Sequence, residues 1–344
     1  MKILVDIMHA AHINFFFNLL NKLNKLEGIE IDFILLNRGK VVDIFKNEYP
    51  VFHYDVIGDH SKKPIGIYIK TGIIRFFKLL IFLLNKKYDY YLGVAAFQIA
   101  IISKLHKTRA LLVYDDPEYK INFVLSRLFA DKFFIPRACK RSGRNIVPFN
   151  ALKEWAYLSP KYFDPDPEVL KEYYLNPYEY VFIREVDTGS LNYQKQKENL
   201  IEELYALDAI NLPVLLSLEN KSRKRIYKKW VILEEPIHGI HSLMYYSKLL
   251  ISNGDSIARE GAVLGVKSIY CGIRNMSVNT ELINRKLLFH ITDMQLLKEI
   301  IRDTTEDKET EIMAADRKKI REELNKAWDD INQIIYDNIL TGKC

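Results

Sequence analysis

Residues 251–271, ISNGDSIAREGAVLGVKSIYC, constrain the fold of this chain more than any other stretch. The apolar run LLIS breaks at Asn253-Gly254, and Asp255 and Ser256 are both residue types that cap a helix N-terminus. Ile257, Ala258, Ala262 and Leu264 give the next segment a helical apolar face, Gly265 stops it, and a second apolar run covers 267–270. Strand, tight turn, helix, glycine and strand in such close succession make a parallel crossover. The unit sets a helix N-terminus at the carboxyl edge of a sheet, where free amides and the helix dipole suit a phosphate or diphosphate. Glu260, one turn in, is placed to reach ribose hydroxyls. Most units of this kind bind nothing, so spacing alone leaves the ligand open.

The rest of the chain repeats the pattern. Strands are expected at 2–7, 29–36, 51–56, 88–94, 110–114 and 132–136, the last of the first half, with helices at 12–26, 40–47, 97–105 and 119–129. Residues 148–167, rich in aromatics and prolines without a clear period, read as a connector. Further strands are expected at 178–184, 213–217, 231–233, 249–252 and 267–270, then a charged helical tail from about Glu311 to Tyr336. A length of 344 residues suits two domains of common size. The expected division is 1–147, a connector at 148–167, 168–310, and a tail at 311–344: α/β, with two Rossmann-like doubly wound parallel sheets facing a cleft.

Bulk properties narrow the function classes. At 49% hydrophobic and 27% charged residues the chain can bury real cores. Cys139, Cys271 and Cys344 have no paired spacing, which argues against disulfides or a zinc site and for a reducing, cytoplasmic compartment. The opening MKILVDIM reads as a buried strand and not a secretory signal. Residues 1–160 hold 24 Lys and Arg against 14 Asp and Glu, a net +10 that leaves −4 for the remainder. An anionic acceptor or an anionic membrane suits the basic half, and so does an ordinary solvated surface. The basic cluster Arg137, Lys140, Arg141 and Arg144 lacks interleaved aromatics, so a nucleic-acid groove is not expected. Residues 68–84, YIKTGIIRFFKLLIFLL, mix Lys70, Arg75 and Lys78 with large apolar side chains, too short and too charged to span a bilayer. They suit an interfacial helix resting on anionic lipid, or a buried helix whose cations snorkel outward.

In doubly wound sheets ligands lie beyond the carboxyl ends of strands. After the first strand come Asp6, His9 and His12, and either histidine has the chemistry of a general base. After the strand ending at Tyr114 come Asp115, Asp116 and Glu118, although Asp116-Pro117-Glu118 also has the form of an ordinary helix start.

Two parallel-sheet halves with a phosphate-type turn in the second resemble the GT-B architecture of glycosyltransferases. The string SLMYYSKLLISNGDSIAREGAVLGVKSIY is similar to the segment with which nucleotide-sugar enzymes of this architecture, the UDP-N-acetylglucosamine 2-epimerases included, hold diphosphate and ribose. The connector KEWAYLSPKYFDPD and the opening VDIMHAAHINFF resemble an uncharacterised GT-B-like group. The resemblance implies Gly254, Asp255 and Ser256 at the diphosphate, Glu260 at the ribose, and residues 236–241, His241 among them, near the base. It implies that Arg184 offsets the charge of the leaving diphosphate, its guanidinium holding two oxygens at once, or else pairs with Glu185 or Asp187.

Two positions depart from the pattern. The related families usually carry glycine where this chain has Asp255, so Asp255→Gly is expected to hold or improve nucleotide binding. The epimerases carry a histidine at the end of the first strand of the second half, where this chain has Arg184-Glu185-Val186-Asp187. The resulting expectation is a metal-independent transferase without a cofactor, taking a nucleotide-diphosphate sugar, a UDP-sugar first, to a cell-envelope or glycoconjugate acceptor. His9 would help bind substrate, and His12 or Asp116 would take the acceptor proton. A nucleotide-sugar epimerase or hydrolase using Asp115, Asp116 and Glu118, and a non-catalytic nucleotide-binding protein, are the alternatives.

Overall fold

The computed structural model describes residues 1–61, 64–187, 199–306 and 310–342. Cys344 lies outside the described residues. The chain forms two compact units, Met1–Tyr157 with Trp328–Cys344, and Leu158–Ala327.

In the first unit the elements follow as β1 (Lys2–Ile7), α1 (Ala10–Leu23), β2 (Glu30–Asn37), α2 (Val41–Glu48), β3 (Tyr54–Asp59), α3 (Pro64–Gly66), a π-helical stretch (Ile67–Ile74) and α4 (Arg75–Leu83). Then come β4 (Tyr90–Val94), α5 (Phe97–His106), β5 (Arg109–Val113), α6 (Lys120–Phe129), β6 (Lys132–Pro136), β7 (Ile146–Phe149) and α7 (Trp155–Leu158). The seven strands are parallel in the order β3-β2-β1-β4-β5-β6-β7. β4 is buried along its whole length, as strands covered by helices on both faces must be, which is why the strands read as near-continuous apolar runs.

The second unit holds β8 (Val181–Glu185), α8 (Leu200–Ala206), β9 (Val214–Leu218), β10 (Val231–Ile232), α9 (Ile240–Tyr245), β11 (Leu249–Ser252), α10 (Asp255–Val263), β12 (Ser268–Tyr270), α11 (Ser277–Asn284), β13 (Leu288–His290), α12 (Met294–Glu306) and α13 (Thr310–Ala327). Its six parallel strands run β10-β9-β8-β11-β12-β13. Val181, Ile183, Leu216, Leu249, Ile251 and Ile269 fill one face of that sheet against α8 and α12 residues such as Ile201, Leu204, Leu297 and Ile301.

The expected strand series holds with two additions, β7 and β13. β6 is therefore not the last strand of the first half. β7 carries Pro148 and pairs only with β6 at the sheet edge, where a residue without an N–H costs no ladder bond. The charged C-terminal stretch is two helices, one in each unit. α13 seats Arg317 on the carbonyls of Tyr245 and Ser247, and Arg321 donates to the Phe163 carbonyl at 2.6 Å. The chain then returns to the first unit, where Trp328 meets Trp155 edge-on at 5.1 Å and α14 (Ile331–Leu340) packs on α1, with Asn332 donating to the Ala156 carbonyl.

Candidate functional site

Both sheets have a topological switch point, the place where ligands enter such folds. In the first it lies between β1 and β4, and in the second between β8 and β11.

At the first switch point the β1–α1 turn carries both histidines. His9 is the N-cap of α1, its Nδ1 accepting from the Ala11 N–H at 3.3 Å. His12 is buried one turn in, its Nδ1 3.4 Å from the Met8 N–H, with the two rings 6.0 Å apart. Burial, and then the charges of Lys153 and Arg38, hold the His12 pKa well below the ordinary histidine value. The ring is therefore neutral, and with Nδ1 accepting from Met8 its proton sits on Nε2. Asp6 is not free for chemistry. Its carboxylate is fully buried and bidentate on Arg75, at 2.6 and 3.2 Å. Asp115 is buried against Lys153 at 2.8 Å. Asp116-Pro117-Glu118 is not the first turn of α6. The Asp116 carbonyl accepts from the Tyr119 N–H in a separate turn, and α6 starts at Lys120 with no side-chain cap.

At the second switch point β8 and β11 lie side by side with Arg184 opposite Ser252. Asn253 staples the two strand ends, its N–H on the Arg184 carbonyl at 3.3 Å and its Oδ1 accepting from the Val186 N–H at 2.8 Å. Gly254 follows because nothing larger fits: a Cβ there would stand 2.4 Å from Val186 Cγ1. The N-cap of α10 is Gly254, not Asp255 or Ser256. The turn also uses its own amides, Gly254 N–H on Ser252 Oγ at 3.0 Å and Ser256 N–H on Asp255 Oδ1 at 3.1 Å.

The Asp255 carboxylate is buried, 2.8 Å from Arg274 Nη1 and 3.5 Å from Arg259 Nη1. Arg259 also donates to Asn279 Oδ1 at 3.1 Å. Arg184 pairs with neither Glu185 nor Asp187. It donates to Ser217 Oγ at 2.7 Å and approaches Glu235 at 3.3 Å and Glu219 at 3.7 Å. Glu185 is occupied elsewhere, accepting from Arg223 at 2.6 Å, from Asn199 at 3.0 Å and from the Tyr227 hydroxyl. Glu260 is buried on α10 with Oε2 3.5 Å from His241 Nε2.

Two buried donors at this edge, Arg184 Nε and Asn253 Nδ2, have no hydrogen-bond partner among the described residues. Native proteins leave few such groups, and each of these donors is one that an anionic oxygen would satisfy. Among the described residues no group of three or more His, Cys, Asp or Glu is placed to hold a metal ion.

The fold thus brings Arg184, Gly254, Asp255, Ser256, Glu260 and His241 into the second unit, and His9, His12 and Asp116 into the first. Sequence reasoning missed Arg274, Arg259, Glu219 and Glu235. Arg274 follows β12 and Glu219 follows β9, so the rule of inspecting residues beyond strand ends points to both. Arg259, in the middle of α10, gives no such signal.

Solved structures with this architecture bear out the GT-B fold. The UDP-GlcNAc 2-epimerase of Methanocaldococcus jannaschii, solved with UDP-GlcNAc and UDP, superposes with a TM-score of 0.66 at 16% identity, covering 90% of this chain and 94% of that one. The spinosyn forosaminyltransferase SpnP superposes with a TM-score of 0.66 at 11% identity over the full length of both chains. In sequence, the uncharacterized protein MJ0665 of Methanocaldococcus jannaschii is 24% identical over 319 residues, 86% of this chain and 89% of that protein. The model of the family described as "Protein of unknown function (DUF354)" matches residues 1–341, and the chain belongs to that family.

Proposed function

We propose that the protein is a nucleotide-sugar enzyme whose second unit binds the diphosphate of the sugar donor at the β8–β11 switch point. The observation that carries this reading is that two buried donors at that edge, Arg184 Nε and Asn253 Nδ2, have no partner among the described residues. Ligands of this kind are found with the solved neighbour that was captured with UDP-GlcNAc and UDP. Glu260 and His241, next to one another on α10 and α9, suit the ribose and base.

Glycosyl transfer from a UDP-sugar is the reaction we assign. The bond from the anomeric carbon to the diphosphate breaks, the acceptor oxygen forms a new bond to that carbon, and the electron pair leaves on the diphosphate, where Arg184 offsets its charge. The basic first unit binds the acceptor. His12, neutral and carrying its proton on Nε2, orients the acceptor hydroxyl as a donor, which leaves Asp116 to take the proton.

The test is thermal stabilisation by uridine, guanosine and cytidine diphosphates at millimolar concentration, which for Kd near 10 μM is worth about 2.7 kcal/mol. Arg184→Ala should abolish the shift, and Glu235→Gln, which removes a competing carboxylate, should enlarge it. No shift with any of the three nucleotides removes the reading. Epimer formed from UDP-N-acetylglucosamine alone would replace the transferase by an epimerase.

A further inference from the structure

Helix α4 buries Leu79 and Leu83 and, in its first turn, a cation, yet is also apolar on its outer side. Arg75 is 0% exposed, bonded to Asp6, to Gln98 Oε1 at 2.7 Å and to the Ile57 carbonyl at 3.0 Å. On the opposite side Phe77, Ile81 and Leu84 are 56%, 69% and 62% exposed. The π-helical stretch before it continues the apolar face with Ile69 and Ile73.

Two neighbouring helices extend it. α5 packs on α4, and between them an open groove of about 340 Å³ is lined only by Gly72, Ile73, Phe76, Phe77, Phe97 and Ile101. α6 packs on α5 and leaves Ile121, Val124 and Leu128 exposed at i, i+3, i+7 spacing. Tyr68 of the π-helical stretch lies close enough to Tyr119, just before α6, to help raise its pKa, so the two outer elements come together on one side. Exposed apolar residues are ordinary when scattered, but a contiguous patch of this kind marks an interaction surface.

The charge around the patch selects its partner. No Asp or Glu occurs between Asp59 and Asp89, and none lies on α5 or α6. Lys70, Lys78 and Lys120 are exposed on these elements, while Lys104 of α5 is paired with Asp131 at 2.7 Å. An apolar face bordered by Lys70, Lys78 and Lys120, with no carboxylate on the helices that form it, fits a surface that is apolar below and anionic above. We propose that the face formed by the π-helical stretch, α4, α5 and α6 docks the protein on an anionic lipid bilayer, with one acyl chain entering the Phe76–Phe97 groove. Among the described residues no helix is long and apolar enough to cross a membrane, so the contact is peripheral.

Vesicle sedimentation without any nucleotide tests this independently of the sugar chemistry. The full chain should pellet with vesicles of phosphatidylglycerol and phosphatidylcholine, and not with phosphatidylcholine alone. Binding should fall with salt, by about fivefold for each of Lys70→Ala and Lys78→Ala at low ionic strength. Phe77→Ser with Ile81→Ser should lower it at least about tenfold. Should that double variant fail to fold, the lysine variants still decide. Equal binding to both vesicles, or binding to neither, overturns the proposal. So does a lipid-free dimer that the Phe77→Ser, Ile81→Ser variant dissolves, since the face would then be covered by a second copy.

Discussion

Replacing Asp255 by asparagine is the most informative single change in the second unit. The side chain is almost the same size, so no cavity opens, and the Oδ1 that accepts from the Ser256 N–H at 3.1 Å is kept. What is lost is a negative charge held 2.8 Å from Arg274 and 3.5 Å from Arg259. Arg259 is 1% exposed, and Asn279 Oδ1 at 3.1 Å offers it no countercharge. Removing one partner of a buried ion pair costs about 3–5 kcal/mol, and the partial exposure of Arg274 places this case near the lower end. About 3 kcal/mol lowers the melting temperature of a unit this size by about 6–12 °C. Differential scanning calorimetry of Asp255→Asn, Arg259→Gln and the double variant measures both the loss and the coupling. A shift under 2 °C, or strictly additive single losses, refutes the claim that the carboxylate is there to neutralise guanidinium. Asp255→Gly, expected from sequence to help nucleotide binding, should destabilise further because it also places glycine in the first turn of α10. Nucleotide affinity of that variant must be read well below its melting point.

The same reasoning applies to Asp6→Asn, which leaves Arg75 fully buried without a countercharge and should cost about 3–5 kcal/mol by thermal unfolding. The double change Asp6→Leu with Arg75→Met should recover much of that loss, and no recovery would show the network to be more than a charge pair. The lowered His12 pKa makes stability pH-dependent with a definite sign. The unfolded histidine takes up a proton near pH 6.5 while the folded one resists, so stability present above pH 6.5 drains away as the pH falls toward the folded value. His60, lowered to about 4 by burial and by Arg38, adds to the loss between pH 6.5 and 4. Melting curves from pH 7.5 to 4.5 should flatten in His12→Gln, and an unchanged pH slope in that variant would show that His12 titrates normally.

The architecture was readable because buried parallel strands announce themselves as apolar runs and the crossover at 251–271 permits only one kind of pairing. β7 escaped because Pro148 is a strand breaker everywhere except at an edge, and edge position is a tertiary fact. Partner choice was less readable. Arg184 has Glu185 beside it in sequence, yet alternation along β8 points the two side chains to opposite faces, and Arg184 meets Glu219 and Glu235 instead. Arg75 suggested an outward cation on an apolar helix. It turns inward because Asp6 and Gln98, 69 and 23 residues away, await it there, with Leu79 and Leu83 buried on the same side while Phe77 and Ile81 face out.

The charges near the β8–β11 edge also change where the proposed diphosphate site is weakest. Each guanidinium there is shared with a carboxylate, but not equally. Arg274 and Asp255 stand at 2.8 Å with Asp255 buried, a short charge-assisted contact that an incoming anion gains little by breaking. Arg184 stands 3.3 and 3.7 Å from Glu235 and Glu219, side chains that are 24% and 42% exposed, and its Nε has no partner among the described residues. Those longer contacts to better hydrated carboxylates are the ones a phosphate oxygen replaces most readily, with Glu219 also giving up the Asp187 N–H that it accepts at 3.1 Å. Anion binding would then be an exchange on Arg184, with Asp255 as the countercharge that fixes Arg259 and Arg274 beneath it. In the proposed diphosphate site, the carboxylate that looked like the obstacle is part of the framework, and the groups that must move are Glu219 and Glu235.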